Sequence, residues 1–575
     1  MFVCAAPLLA APLLAAPAQA STDVLDRAAL RAVLGPGSAR ASHAHASPLP
    51  LPERTHASAA AASAGELARI ARSDAPRSLL VGVRAHSDMD AVATTLRALG
   101  AEPERFELTG VLAARVPSGA AAVAKLRNDP RVAFVERDRR LRAAVEEFDR
   151  PDTETGLPFT WAYDAVHAGQ ALAAVGGGSA RVVSVLDTGL DLSHPEFTGQ
   201  VARTYDAIPA GGGVTDFVGH GTFVTGLIAA LDGNGLGGKG VAGSTKVMAV
   251  RASTNGNFDL SDLIRGIEFS VRAGADVINM SFAGDGFDPS GALALARALA
   301  LAFDNYVLSV AAAGNNAENG NPLEVPAAFL GGRRGGIGIG LSVAATRPDG
   351  SPASFSDHND YVSLAAPGAA ANPDDCHHGV FSTLPASTSP PWQEDGCPNV
   401  FTGAGGAHYA YAEGTSFAAP IVSGLAAVVW QAERRLAPEQ VAHVLMRSAD
   451  GSGWNEFTGA GVVDGEAGVK LARVYDVRAP RARGRARRRG NRVRVTVARS
   501  RDRTFAGDEL AGHVRYWLRV SRDGGRSYKV LARRRPRPFS KNVPIRGRRV
   551  NELVISACDR NANCGAKRVG RFRRR

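Results

Sequence analysis

The chain has 575 residues, 45% of them hydrophobic, with 64 Gly, 5 Cys and a formal charge of +12. That length predicts two to four folded units, and nothing in the composition supports a collagen-like repeat or a coiled coil. The charge is uneven: residues 476–575 hold 32 Lys+Arg against 7 Asp+Glu, a net of +25, so the first 475 residues carry −13. Such a basic end suits anionic partners such as nucleic acid, cell-wall polyanions or acidic lipid surfaces, although a merely solvated Arg-rich surface has the same composition.

Residues 1–20 (MFVCAAPLLAAPLLAAPAQA) are uncharged and end in Ala-Gln-Ala. They read as a secretory signal cut after Ala20, although the positive n-region is missing. No later apolar run is long enough to span a bilayer, so a released or surface-attached protein is expected. Cys4 would leave with the signal; the other cysteines form two local pairs, Cys376 with Cys397 and Cys558 with Cys564, expected as disulfides in an exported chain. Residues 21–77, rich in Ala, Ser, His and Pro, read as a low-order linker. Residues 78–140 alternate strand, helix, strand, helix, strand, a small α+β unit. The charged stretch that follows is a plausible processing region.

From 153 to 475 the apolar runs VVSVLD, KVMAVRA, ADVINMS and VLSVAAAG have the character of buried parallel strands. Helices are predicted between them, beginning near His220, Leu260 and Pro289, with two more from Thr415 and Pro438. This alternation predicts a three-layer α/β domain, a parallel sheet with helices on both faces. Residues 476–489 read as an Arg/Pro linker, and 490–575 as a basic all-β sandwich.

Four polar residues stand where peptide-bond hydrolysis needs them. That reaction requires an activated oxygen, a base held in one tautomer and a stabiliser for the oxyanion. Ser416, opening a helix after Gly414-Thr415, is the candidate nucleophile; the competing reading is a plain N-cap. His220, also at a helix start, is the candidate base, against the surface role of most of the 13 histidines. Asp187 ends an apolar strand, where a buried carboxylate needs a partner such as an imidazole N–H; otherwise it is a turn former. Asn315, after Gly314, can aim an amide at the oxyanion, or simply form a turn with Asn316.

Asp187-Thr-Gly, His220-Gly-Thr, Ala313-Gly-Asn315 and Gly414-Thr-Ser416-Phe-Ala-Ala-Pro420 resemble the motifs of subtilisin-like serine peptidases, in the same chain order. The resemblance covers roughly 153–474. It implies the subtilisin-like fold, an Asp-His-Ser triad with Asn315 as oxyanion donor, and protein or peptide substrates. It also implies that 78–140 is a ferredoxin-like prodomain acting as intramolecular inhibitor, removed between about Arg140 and Glu154. Ser281, Phe282 and Ala283 fall in the segment that pairs with substrate backbone. Ala283 stands where the family usually has Gly, which narrows the specificity pocket, and Phe417 replaces a common Met. Glu196 falls near a family calcium ligand and residues 232–240 resemble a calcium loop of altered length; a solvated Gly-rich loop is the alternative. No cofactor is expected for catalysis, structural calcium is admitted, no metal ligand is assigned, and a monomer is expected. The competing function is a binding protein on an inactive scaffold of the same family.

Overall fold

The computed structural model describes residues 77–138, 140–143, 160–177, 179–209, 211–234, 236–243, 245–284, 292–371, 379–386, 400–402, 406–475, 482–498, 515–521, 529–535, 539–545, 551–558 and 564–572. The signal-like residues, the segment after them, Cys376 and Cys397 lie outside these.

The N-terminal unit runs β1 (Arg77–Val83), α1 (Met89–Arg97), β2 (Glu104–Phe106), β3 (Val111–Val116), α2 (Gly119–Arg127) and β4 (Val132–Arg137). Its antiparallel sheet has the order β2-β3-β1-β4, the ferredoxin-like βαββαβ arrangement. Met89, Val92, Ala93 and Leu96 recur at helical spacing on α1 and pack on Leu79, Val81 and Leu112. Because strand side chains alternate, Leu80 points to the opposite face. There it joins Phe106 and Val111 in a core shared with Ile264, Ile267, Leu295 and Leu299 of the next domain.

The central sheet is parallel throughout. Its strands are β6 (Val182–Asp187), β7 (Val201–Asp206), β8 (Lys246–Arg251), β10 (Val277–Met280), β12 (Leu308–Ala312), β13 (Gly340–Thr346) and β14 (Leu364–Pro367). The order is β14-β13-β12-β10-β6-β8-β7. On one face lie α3 (His220–Ala229), α6 (Thr415–Ala432), α7 (Pro438–Ser448) and α8 (Gly465–Val474), against Val183, Val185 and Val277. On the other lie α4 (Leu260–Ala273) and α5 (Leu293–Asp304), against Leu186, Met248 and Ile278. Helix α6 is apolar all round and buried from Thr415 to Trp430; its length and composition would suit a bilayer, but here it is the middle of the core. The three-layer fold is as expected from the alternation, with three strands more than the four named from the sequence. The additional strands are β7, a polar edge (VARTYD), and β13 and β14, which are short or built from small residues.

Two small sheets flank the core. One joins β15 (Val380–Leu384), β17 (His408–Ala412) and β16 (Val400–Thr402) and sits on α3, where the Ser382 and Thr383 hydroxyls donate to the Phe223 and Thr222 carbonyls. The other joins β11 (Phe282–Ala283), β5 (Arg140–Ala143) and β9 (Asn257–Asp259), with β5 in the middle.

The C-terminal domain packs two antiparallel sheets. One is ordered β18 (Arg483–Arg489), β19 (Arg492–Ala498), β22 (Phe539–Pro544). The other is β21 (Lys529–Arg535), β20 (Arg515–Ser521), β23 (Asn551–Cys558), β24 (Cys564–Phe572). Their shared core includes Val493, Val495, Tyr516, Leu518 and Ile555, as a sandwich requires. The reading of 476–489 as linker is corrected here: Arg483–Arg489 is a full strand. Three of its inward positions are small, Ala482, Gly484 and Ala486, the fourth being the half-buried Arg488, and a Cβ on Gly484 would meet Ile555 Cδ1 at 2.3 Å. Small-in, Arg-out alternation carries no hydrophobic signal, and the Gly490-Asn491 turn joining β18 to β19 marked the hairpin more clearly.

Candidate active site

The polar residues gather where β6, β10 and β12 end, the carboxyl edge at which open α/β sheets hold their ligands. Asp187 closes β6 and is fully buried. Its Oδ1 accepts from His220 Nδ1 at 2.7 Å and from the Thr188 amide at 2.7 Å. His220 opens α3, itself buried, and its Nε2 has no hydrogen-bond partner. Two devices fix that helix start. Gly221 lies so close to the turn after β6 that a Cβ would sit 2.3 Å from the Gly189 carbonyl oxygen. Asp216, also buried, accepts from the amides of Val218, Gly219 and Thr222 and from the hydroxyls of Thr188 and Thr222, at 2.8–3.1 Å. Thr188 Oγ1 in turn accepts from the Gly221 amide at 2.9 Å, joining strand end to helix start.

Ser416 is in the first turn of α6, after Gly414, whose φ of 147° lies in a region open mainly to glycine. Its hydroxyl donates to the Ser281 carbonyl at 2.7 Å, leaving the imidazole Nε2 unengaged. The next residue, Phe417, stands 5.6 Å from the His220 ring, centroid to centroid, and 4.6 Å from Phe223, so an aromatic wall backs the base. Asn315 lies beyond β12. Its Oδ1 accepts from the Thr415 amide at 3.0 Å and the Thr415 hydroxyl at 2.7 Å. With the oxygen so engaged, Nδ2 is buried without a partner. Asn279 donates from Nδ2 to Ser281 Oγ at 2.9 Å and accepts from Ser423, tying the 281–283 wall to α6.

The structure thus brings Asp187, His220, Asn315 and Ser416 together, with Ser281, Phe282 and Ala283 alongside. Asp216, Thr188 and Thr415 were not singled out in the sequence. An Asp a few residues before a helix start was the available signal for Asp216, and the Thr of Gly-Thr-Ser for Thr415.

The Ser281 carbonyl that Ser416 reaches leads directly into β11, and β5 lies between β11 and β9. Ala143 pairs with Phe282 and Arg142 with Ala283 on one side; Arg142, Leu141 and Arg140 pair with Asn257, Phe258 and Asp259 on the other. The unit to which β5 is joined is held by charge as well as apolar packing. Glu136 accepts from the Leu293 and Ala294 amides at 2.7 Å, at the start of α5. Asp138 accepts from the Ser261 amide and hydroxyl at the start of α4, at 3.0 and 2.6 Å. Helix N-termini favour such anions. Arg265 pairs with Glu104, and Glu268 accepts from Thr109. Burial raises the carboxyls of Asp138 and Glu268 and pushes Asp262 up to about 6.

The arrangement around Glu196 does not suit calcium. Oε1 accepts from the Gly238 amide at 2.6 Å and the Tyr409 hydroxyl at 2.9 Å, and Oε2 from Asn234 Nδ2 at 2.7 Å. A cation needs oxygen ligands, and here N–H and O–H donors face the carboxylate instead. Burial and the bond to Glu196 raise the Tyr409 phenol. Among the described residues no three His, Cys, Asp or Glu gather as a metal site.

The subtilase family model matches residues 178–461. Fervidolysin of Fervidobacterium pennivorans is 32% identical over 329 residues, 54% of this chain and 43% of its own length. Subtilisin DY of Bacillus licheniformis is 31% identical over 291 residues, 50% of this chain and 90% of its own. The extracellular serine proteinase of Thermus sp. strain Rt41A is 33% identical over 372 residues, 62% and 75%. The crystal structure of fervidolysin, a keratinolytic enzyme related to subtilisin, aligns with a TM-score of 0.57 at 22% identity, over 84% of this chain and 71% of that one, a likeness of fold.

Proposed function

The chain belongs to the subtilase family of serine peptidases, and from that premise we propose that it is a secreted serine endopeptidase, made as a self-processed proenzyme, that hydrolyses protein peptide bonds through an acyl-enzyme. The observation that carries this is the buried pair of Asp187 and His220 with Nε2 left open, beside a buried Asn315 Nδ2 also left open, at the helix start that bears Ser416.

Asp187 holds the proton on Nδ1, so Nε2 is the basic nitrogen. Rotation of the Ser416 side chain away from the Ser281 carbonyl lets Nε2 take its proton as Oγ adds to the scissile carbonyl. The tetrahedral oxyanion is met by Asn315 Nδ2 and by the Ser416 amide at the helix N-terminus. His220 returns the proton to the leaving amine, and water repeats the sequence to release the acid. Substrate backbone would add as a strand between β9 and β11, which gives affinity with little sequence demand.

The lie of β5 in that place supports the proenzyme reading: the N-terminal unit delivers its own chain to the cleft as an inhibitor. Export is favoured by the residues 1–20 and by an extracellular relative. Cys558 and Cys564 are register partners on β23 and β24, which supports a disulfide there. The test is Ser416→Ala: the parent is expected to hydrolyse casein and shed the N-terminal unit, and the variant to do neither. Casein hydrolysis by the variant at the parent's rate would refute the assignment.

A further inference from the structure

The outer face of the sheet β18-β19-β22 is a regular array of guanidinium groups. Arg483, Arg485, Arg487 and Arg489 are exposed at alternate positions of β18, and Arg492 and Arg494 at alternate positions of β19. Antiparallel register sets Arg487 directly opposite Arg494, and Arg489 opposite Arg492. The third strand continues the face with exposed Ser540 and Asn542, opposite Thr496 and Arg494. None of the three strands contains an acidic residue. Among the described residues, none of the six arginines has an ion-pair partner within the chain. Arginines elsewhere in the domain do: Arg568 and Arg571 both pair with the buried Glu552, at 2.8 and 2.7 Å.

Like charges directly opposite on a ladder are destabilising. Two such pairs therefore work against the fold unless an anion lies across them. Successive outward arginines on β18 are about 6.6 Å apart along the strand, and the neighbouring strand is about 4.8 Å away. The array runs the length of β18 and is only two arginine-bearing strands wide, so it suits a linear anion lying along the strands. Guanidinium forks bind phosphate oxygens in a bidentate manner and keep their charge at every working pH. Among the described residues of this face no exposed side chain is aromatic, so they offer no stacking platform of the kind that single-stranded nucleic acid uses. Nor do the described residues of this face present an apolar wedge for a bilayer.

We propose that this face binds a linear phosphodiester polymer without bases, of the poly(glycerol phosphate) kind, and so tethers the catalytic domain to an anionic matrix. The peptidase reading is not needed for this site, which lies in a separate domain.

The test uses the full chain and poly(glycerol phosphate) immobilised on a biosensor, at about 50 and 300 mM salt, since such contacts release counterions and weaken steeply with salt. Two variants accompany the parent: Arg485→Ser/Arg487→Ser/Arg494→Ser, and the same three positions changed to Lys. The serine variant is expected to bind at least tenfold more weakly with a shallower salt slope, and its melting temperature should not fall, since it also removes an opposed pair. The lysine variant keeps the charge but not the fork, and is expected to fall between the two. Binding of the serine variant within twofold of the parent would overturn the assignment. So would equal or tighter binding of a single-stranded or duplex DNA of the same charge, or of anionic vesicles.

Discussion

Asn315 illustrates how one side chain is set by another. Its amide has one oxygen and one nitrogen to place, and Thr415 takes the oxygen through two hydrogen bonds. That choice leaves Nδ2 buried without a partner, the donor that the proposed mechanism assigns to the oxyanion. Asn315→Ala is therefore expected to lower kcat about 10²–10³-fold with KM little changed, the usual loss for one oxyanion donor. Thr415→Val keeps the amide contact but removes the hydroxyl, which donates to Asn315 Oδ1 and accepts from the Gly314 amide; losing the first bond, worth about 1 kcal/mol, should lower kcat roughly fivefold. Steady-state kinetics on one peptide substrate checks both, and an unchanged kcat in Asn315→Ala would remove that residue from the site. The four main polar residues were legible in the sequence because the proposed chemistry asks for a residue type at a place: a carboxylate ending an apolar strand, an imidazole and a hydroxyl opening helices. Asp216 and Thr188 were not, because their work is done through backbone amides that only the folded turn brings within reach.

At the scale of elements, helix α3 delivers the imidazole only if it can approach the end of β6. Gly221 allows that approach, and a methyl there would collide with the Gly189 carbonyl. Gly221→Ala is expected to cost about 1–3 kcal/mol of stability, read by denaturant unfolding, together with most of the activity. The docking of the N-terminal unit should depend on pH. Burial raises Asp138, and raises Asp262 to about 6 beside Arg265, Asp259 and Asp138. A carboxyl whose value is higher when docked takes up a proton on docking. Docking should then weaken as pH rises from about 4 toward about 6, and Asp262 adds no further change above that. Release of the unit from the Ser416→Ala chain cut between the two parts, followed by size exclusion at pH 4.5 and 7.5, is expected to be greater at 7.5. The reverse order would contradict this account of the interface. Strand β18 was missed for an instructive reason: its inward positions are Gly484, Ala486 and the half-buried Arg488, none of them a large apolar residue, while its outward residues are all Arg. Edge strand β7 was missed because its VARTYD sequence is largely polar and half-exposed.

Across the whole molecule, the alternation of apolar strands and helices set the layers, while the excess of Lys and Arg after residue 475 agrees with the exposed arginines of β18 and β19. The loop near Glu196 is tied by protein donors, Tyr409 among them, so thermal unfolding should be the same in calcium as in chelator within about 2 °C. Tyr409→Phe should lower the melting temperature in both, since a buried carboxylate oxygen loses one of its two donors. A rise of several degrees on adding calcium to the parent would show that the loop opens to bind the ion. The account as a whole rests on a hydroxyl at 416 made nucleophilic by the imidazole at 220. It is tested most directly by treating the full chain with a fluorophosphonate and mapping the adduct by peptide mass spectrometry. The account predicts one adduct, on Ser416, formed far more slowly in His220→Ala; an adduct on another serine, or an unchanged rate in that variant, would contradict it.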